Sequence, residues 1–364
     1  MSTVLVRNTT QKDYPDRVRE VFQLFNVNVR GKSVLIKPNI LSPLPPERGV
    51  ATDPLLVKAI LEVCLEQTDD VVVGDNPGGL QDSALDTARN AGFLDAVGNR
   101  YMNISESAEW VTVESEIVPK ALISRKVNEV DYIINVPKLK THVLTGLTGC
   151  IKNMFGTIVG SSKSRLHIET GHPKRFTQFL VDLYRRRPPD LNIVDGVLAM
   201  EGNGPTHGML RHVGKILAGT NGMEVDVVMA HMVGWSAHEI KTLELAYKSG
   251  LGEIELNKID LVGDFEVLNP PFVRPVTHAL TREEAVEIFE AITACRPQLN
   301  EELCTMCGKC VEEACPAGAL SLAPHPVIDA SKCISCFCCV ELCPEGAMTV
   351  PDTEKLWNMM FGRA

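Results

Sequence analysis

The runs CTMCGKCVEEACP (Cys304–Pro316) and CISCFCCVELCP (Cys333–Pro344) decide how the last quarter of this 364-residue chain folds. Cys304, Cys307 and Cys310 have two residues between neighbours, as do Cys333, Cys336 and Cys339. A loop with that rhythm brings three thiolates to three corners of a cubane and turns backbone N–H groups toward its sulfides. The fourth cysteine of each run precedes a proline, and in two-cluster chains it serves the other cluster. Cys343 is therefore expected to complete the site of Cys304, Cys307 and Cys310, and Cys315 that of Cys333, Cys336 and Cys339. The expected cofactors are two 4Fe-4S clusters. Zinc takes paired CxxC segments across a longer gap, and three consecutive thiolates at two-residue gaps overcrowd a tetrahedral ion. Disulfides are disfavoured, because the start MSTVLVRNTT lacks a secretory leader and the rest of the chain is long enough to bury a core without staples. Cys338 falls out of rhythm beside Cys339 and is expected to point away from the cluster as a small hydrophobe. Cys64, Cys150 and Cys295 read as buried free thiols.

From about residue 298 to 351 the chain resembles the bacterial two-cluster ferredoxins, including the prolines Pro316 and Pro344. It departs from them in one place. Four residues, not three, separate Cys310 from Cys315. Since Cys315 serves the other cluster, the extra residue lengthens a connector and leaves the first tripod of thiolates intact.

Hydrophobic residues at 45% and charged residues at 23% are ordinary for a soluble globular protein of two or three domains. No run approaches the ~18 apolar residues of a spanning helix, so no membrane is expected and the expected location is cytoplasmic. The net charge of −10 conceals a block of ten Lys and Arg against two acids between Lys138 and Arg187. A basic block of +8 inside an acidic chain points to a local anion site. Nucleic acid is a poor partner for it, because aromatics are not interleaved and the acidic remainder repels a polyanion. Arg185, Arg186 and Arg187 read as a solvated face where cations suit a helix C-terminus.

Residues 1–295 alternate short β-branched runs with helical patterns. Strands are expected at 33–37, 71–74, 132–136, 191–194, 215–218 and 259–262, and helices at 54–67, 82–90, 173–187, 223–232 and 237–248, with Asp53 as an N-cap ahead of Pro54. That alternation predicts an α/β domain on a mainly parallel sheet with flanking helices. A small α+β ferredoxin-type domain follows at 296–352 after a linker near 296–300 and a last body helix at 283–294. The apolar tail at 353–364, with Trp357, Met359, Met360 and Phe361, is expected to dock on the body.

Four segments behind the strands carry anion-binding groups: KPN (37–39), GDNPGG (74–79), NVPKLKTH (135–142) leading into TGLTGCIKN (145–153), and VDGVLAMEGNGPTHG (194–208). All are read as loops at the carboxyl ends of strands, where open α/β sheets place ligands. Neither a Walker loop nor a dinucleotide fingerprint is present, so no nucleotide, flavin or nicotinamide is indicated and any further organic cofactor is unknown. Lys37, Lys138, Lys140 and Lys152 are expected to converge on one crevice as anion-binding point charges, with Asn39 and Asn153 orienting the ligand. His142, beside two lysines, is the candidate acid or base held neutral by its neighbours, with Glu201 as a second proton carrier. His167, His172 and His207 are second choices.

IKPN (36–39), NVPKLKTH, TGCIKNMFG (148–156) and EGNGPTHG (201–208) together resemble the family known as domain of unknown function 362, often fused to a two-cluster ferredoxin. The likeness spans about residues 1–270 and implies an α/β fold, a redox setting and a shared site at those motifs, without naming a substrate. Asn221 stands where that family more often has an acid, which removes a carboxylate role there. Two functions compete: an oxidoreductase passing low-potential electrons between the clusters and an anionic small molecule, or an electron-transfer adaptor whose charged surface docks a redox partner protein. Buried polar groups at strand ends favour the first.

Overall fold

The computed structural model describes residues 2–77, 84–160, 162–170, 173–278 and 296–349. Part of the GDNPGG segment, His172, Cys295, the helix expected at 283–294 and the apolar tail lie outside them. A ten-stranded sheet organises the body, in the order Asp260–Gly263, Thr3–Asn8, Met209–Gly219, Leu191–Glu201, Tyr132–Val136, Val34–Pro38, Val71–Asp75 and Tyr101–Asn103. Lys138–His142 pairs alongside Leu191–Glu201 and carries Gly146–Thr148 on its outer edge. Parallel pairings dominate, and the two antiparallel ones within the main run, Thr3–Asn8 and Leu191–Glu201 against Met209–Gly219, enclose the long hairpin. The mainly parallel α/β architecture is thus as the alternating pattern predicted.

Period-two alternation sorts side chains to two cores. In Thr3–Asn8, Leu5 packs with helices Tyr14–Leu24 and Pro54–Leu65, whereas Val4 and Val6 pack with helix Gly222–Met232 on the opposite face. The expected cap holds: Asp53 accepts a hydrogen bond from Leu55 N at 2.9 Å ahead of Pro54.

Two segments read as loops are strands. Pro137 lacks an N–H and ends the first ladder after Val136, but its carbonyl accepts from Asp195 N, so the chain changes partner and continues as Lys138–His142, buried throughout. The VDGVLAME part of the fourth segment is likewise the outer half of strand Leu191–Glu201. Helix Ser162–Thr170 was not anticipated, its polar composition giving little amphipathic signal.

In the cysteine-rich domain the extra residue between Cys310 and Cys315 is taken up by a π-helical turn at Cys310–Ala314, where the second run has the ordinary helix Cys338–Glu341. A single inserted residue in a helix produces such a turn. The two cysteine loops otherwise repeat one backbone pattern. Met306 and Gly308 of the first and Ser335 and Phe337 of the second, two and four residues after Cys304 and Cys333, all have φ between 52° and 77°. Left-handed residues at alternate positions curl each loop so that N–H groups line its concave side.

Candidate functional site

The cysteine-rich domain sits against the carboxyl ends of the strands, and three body residues grip its second run. His142, last in strand Lys138–His142, places Nε2 3.1 Å from Glu341 Oε1. Thr206 Oγ1 donates to Glu341 O at 2.9 Å, and His207 packs on Gly346 beside Cys343. The PKLKTH and GPTHG segments thus contact the cluster domain at Glu341, a charged residue between Cys339 and Cys343.

Cys315 lies with the thiols of the second run, and Cys343 lies near Cys310. One hollow is lined by Cys315, Cys333, Cys336 and Cys339 together with Phe337, Leu320 and Ile328, while Cys338 is outside its wall. The charges that bear on Cys310 are those of Cys343, Cys307 and Cys304. Cys315 Sγ also accepts a hydrogen bond from Ala319 N at 3.2 Å, as a cluster thiolate requires. These residues fit two 4Fe-4S clusters.

Between the domains lies a cavity of about 300 Å³. Its body side is formed by Asn39, Asn76, His142, Lys152, Asn153 and Lys163, and an aromatic corner is made by Phe155, Phe176 and His167, the last stacked on Phe176 at 4.3 Å. Its other side is the π-turn with Cys315 and Pro316, together with Cys338 and Glu341. Cys338 therefore faces the cavity, away from the cluster hollow.

Of the four lysines expected there, one arrives. Lys138, Lys140 and His142 share one face of their strand, and each successive position lies farther out. Lys138 Nζ is consumed by Asp195 at 2.7 Å, Lys140 Nζ donates to Val50 O at 2.6 Å, and only His142 reaches the cavity. Lys37 is paired with Asp75 at 2.7 Å behind Gly156, where a Cβ would collide with both partners. All three of these lysines are buried: Lys37 and Lys138 are neutralised locally by carboxylates, whereas Lys140, with only a carbonyl partner, is pulled well below the ordinary lysine range by burial. Glu201 is also elsewhere. At the far end of the long hairpin it pairs with Arg211 at 3.1 Å and accepts from Val273 N. Lys152 lines the cavity with no hydrogen-bond or ion-pair partner among the described residues, and Lys163, which the sequence did not single out, joins it by donating to the Asn76 and Pro77 carbonyls.

Asn153 is fixed by a relay of amides. Asn192 donates to Gly219 O, which can only accept, so Asn135 must donate to Asn192, Asn153 to Asn135 at 2.8 Å, and Asn39 to Asn153 at 3.1 Å. The turn that carries Lys152 is held by Asp226, whose two oxygens accept from Cys150 N at 2.6 Å and Ile151 N at 3.1 Å. Gly149 leaves room for that carboxylate. Asn221, one turn earlier, caps helix Gly222–Met232 instead. Asp226→Ala would strand two buried N–H groups and should cost about 3 kcal/mol, read as a lowered denaturation midpoint.

Burial, reinforced by the Lys152 charge, pulls His142 down to about 4. Its Nδ1 accepts from Leu144 N at 3.0 Å, so the neutral ring carries its proton on Nε2, toward Glu341. Burial works against the Glu341 charge, yet the His142 ring and the Lys152 ammonium outweigh it and the carboxyl falls to about 2. The ring is thus neutral as expected, but its one acceptor nitrogen is occupied. Burial lowers Lys152 against the pull of Glu341, and brings Lys163 to about 7 and His167 to about 4. His142 and His167 are both held neutral in the folded chain, so their contribution to stability is full above about pH 6.5 and is lost as pH falls toward 4. Denaturation midpoints measured between pH 7 and pH 4 should fall, and His142→Gln should flatten the profile.

Residues 34–231 match the family described as Domain of unknown function (DUF362), and residues 296–344 match the 4Fe-4S dicluster domain. A curated relative, a thylakoid-associated protein of Synechocystis sp., is 33% identical over 224 residues, 61% of this chain and 69% of that protein. Two solved structures share 12% identity: the lactate racemase apoprotein from Thermoanaerobacterium thermosaccharolyticum (TM-score 0.40, 60% of this chain and 54% of that one) and a Thermotoga maritima structural-genomics target (TM-score 0.39, 66% and 59%). The chain thus spans between half and three fifths of those two structures. No described helix is long and apolar enough to cross a membrane.

Proposed function

We propose that this chain, which belongs to the domain of unknown function 362 family and carries a 4Fe-4S dicluster domain, is an oxidoreductase acting on a small molecule with an anionic group held between its two domains. One observation carries the reading: the cavity has a cluster ligand, Cys315, in one wall and the unpaired Lys152 in the other. The clusters, when bound, supply or accept electrons one at a time. Lys152, which makes no hydrogen bond or ion pair among the described residues, offers its charge to a carboxylate or phosphate, and Lys163 adds a second donor. Asn153, fixed by the amide relay, orients the ligand, while Phe155, His167 and Phe176 exclude water from its apolar part. His142 holds Glu341 and so keeps the cavity wall in register, which makes it a positioning residue more than a base. Lys37, Lys138 and Lys140 support the strands beneath, and Glu201 takes no part. A reducing compartment such as the cytoplasm suits the free thiols and clusters.

Anaerobic purification followed by mass spectrometry of released small molecules tests the reading. An anionic metabolite retained by the native protein supports it. A protein that retains and binds none, while still exchanging electrons with another protein, is the adaptor.

A further inference from the structure

We infer that the cluster held by Cys304, Cys307, Cys310 and Cys343 is the electron port, and that its exposed edge receives a basic one-electron redox protein. This goes beyond the cavity reading and does not depend on it. Cys315 of one set lines the cavity between the domains, whereas Cys307 of the other set is the one exposed cysteine among the eight ligands. Around Cys307 the apolar side chains of Leu303 and Met306 stand 49% and 51% exposed with nothing described packed over them. A small patch centred on Leu and Met and free of charge is what the middle of a transient protein interface needs.

The rim of the patch identifies the partner. Glu301 and Glu302 are exposed on one side; on the other, the exposed Glu312, whose π-turn also walls the cavity, brings its carboxylate against Gly308, with Lys309 half-buried beside it. Between residues 296 and 349 seven acids face three bases. Exposed acids on two sides of an apolar centre, in a net acidic domain, are complementary to lysines and arginines around a partner's redox group, and steer its encounter.

The test uses the full chain with both clusters, reduced and freed of excess dithionite, and mixed anaerobically with ferric cytochrome c as a basic probe. Each ferric haem gains one electron and the reduced protein loses one. A small uncharged quinone serves as the control acceptor. The bimolecular rate with cytochrome c should drop about tenfold or more at low salt in Glu301→Lys/Glu302→Lys, and the difference should shrink as salt rises. Leu303→Ser/Met306→Ser should lower the rate at every salt concentration, and all variants should reduce the quinone like the native protein. The milder Glu301→Gln/Glu302→Gln, checked for native iron content, covers a charge reversal that impairs cluster loading. Rates equal to native in the glutamine and serine variants, or an equal drop in Glu255→Lys on the body, would overturn the assignment.

Discussion

Cys315→Ala should lose about half of its iron and acid-labile sulfide, and the half lost is the cluster of the other cysteine run. Cys315 follows the first three cysteines in sequence, yet in space it lines the hollow of Cys333, Cys336 and Cys339. The converse holds for Cys343, which neighbours Cys310. Thus Cys343→Ala should empty the site of Cys304, Cys307 and Cys310. Cys338→Ala should keep its full iron, since that thiol faces the cavity. Iron and sulfide assays with spectra of the reduced proteins separate the outcomes. If Cys315→Ala instead emptied its own run's site, ligation would be uncrossed.

Lys152→Ala should abolish retention of the anionic ligand while leaving cluster content and dithionite reduction unchanged. Burial lowers the Lys152 ammonium against the pull of Glu341, so an arriving anion adds a charge-assisted contact in a largely water-excluded site, and the substitution removes it. Removing one partner of such a contact costs about 3 kcal/mol, roughly a hundredfold in affinity. Lys138→Ala should behave otherwise: it breaks the pair with Asp195, strands a carboxylate, and lowers stability instead of affinity. Equilibrium binding and thermal denaturation on the same two variants distinguish a ligand contact from a structural cation.

Much of this was legible in the chain because spacing and alternation are local. The cysteine rhythm predicted the crossed sets, and apolar runs between helical patterns predicted the parallel sheet. Asn39, His142, Lys152 and Asn153, all named from the sequence, line one cavity. The misplacements have one physical origin, which is that a buried charge is answered by a partner far away in sequence. Nothing near Lys138 announces Asp195, 57 residues on, and nothing near Lys37 announces that Asp75 will consume it. The alternation of Lys138, Lys140 and His142 did signal a strand, but Pro137 masked it as a loop. The docking of the cluster domain on His142 and Thr206 required a contact across 135 to 199 residues, beyond the reach of any local pattern.

The most direct measurement is electron paramagnetic resonance of the reduced protein with and without the molecule recovered from anaerobic preparations. The cavity wall contains Cys315, a ligand of one cluster only. Binding should therefore shift the signal that disappears in Cys315→Ala, spare the signal that disappears in Cys343→Ala, and have no effect in Lys152→Ala. If no molecule is recovered, or if both signals are indifferent to it in the native protein, the cavity is not where this chain exchanges electrons with a substrate.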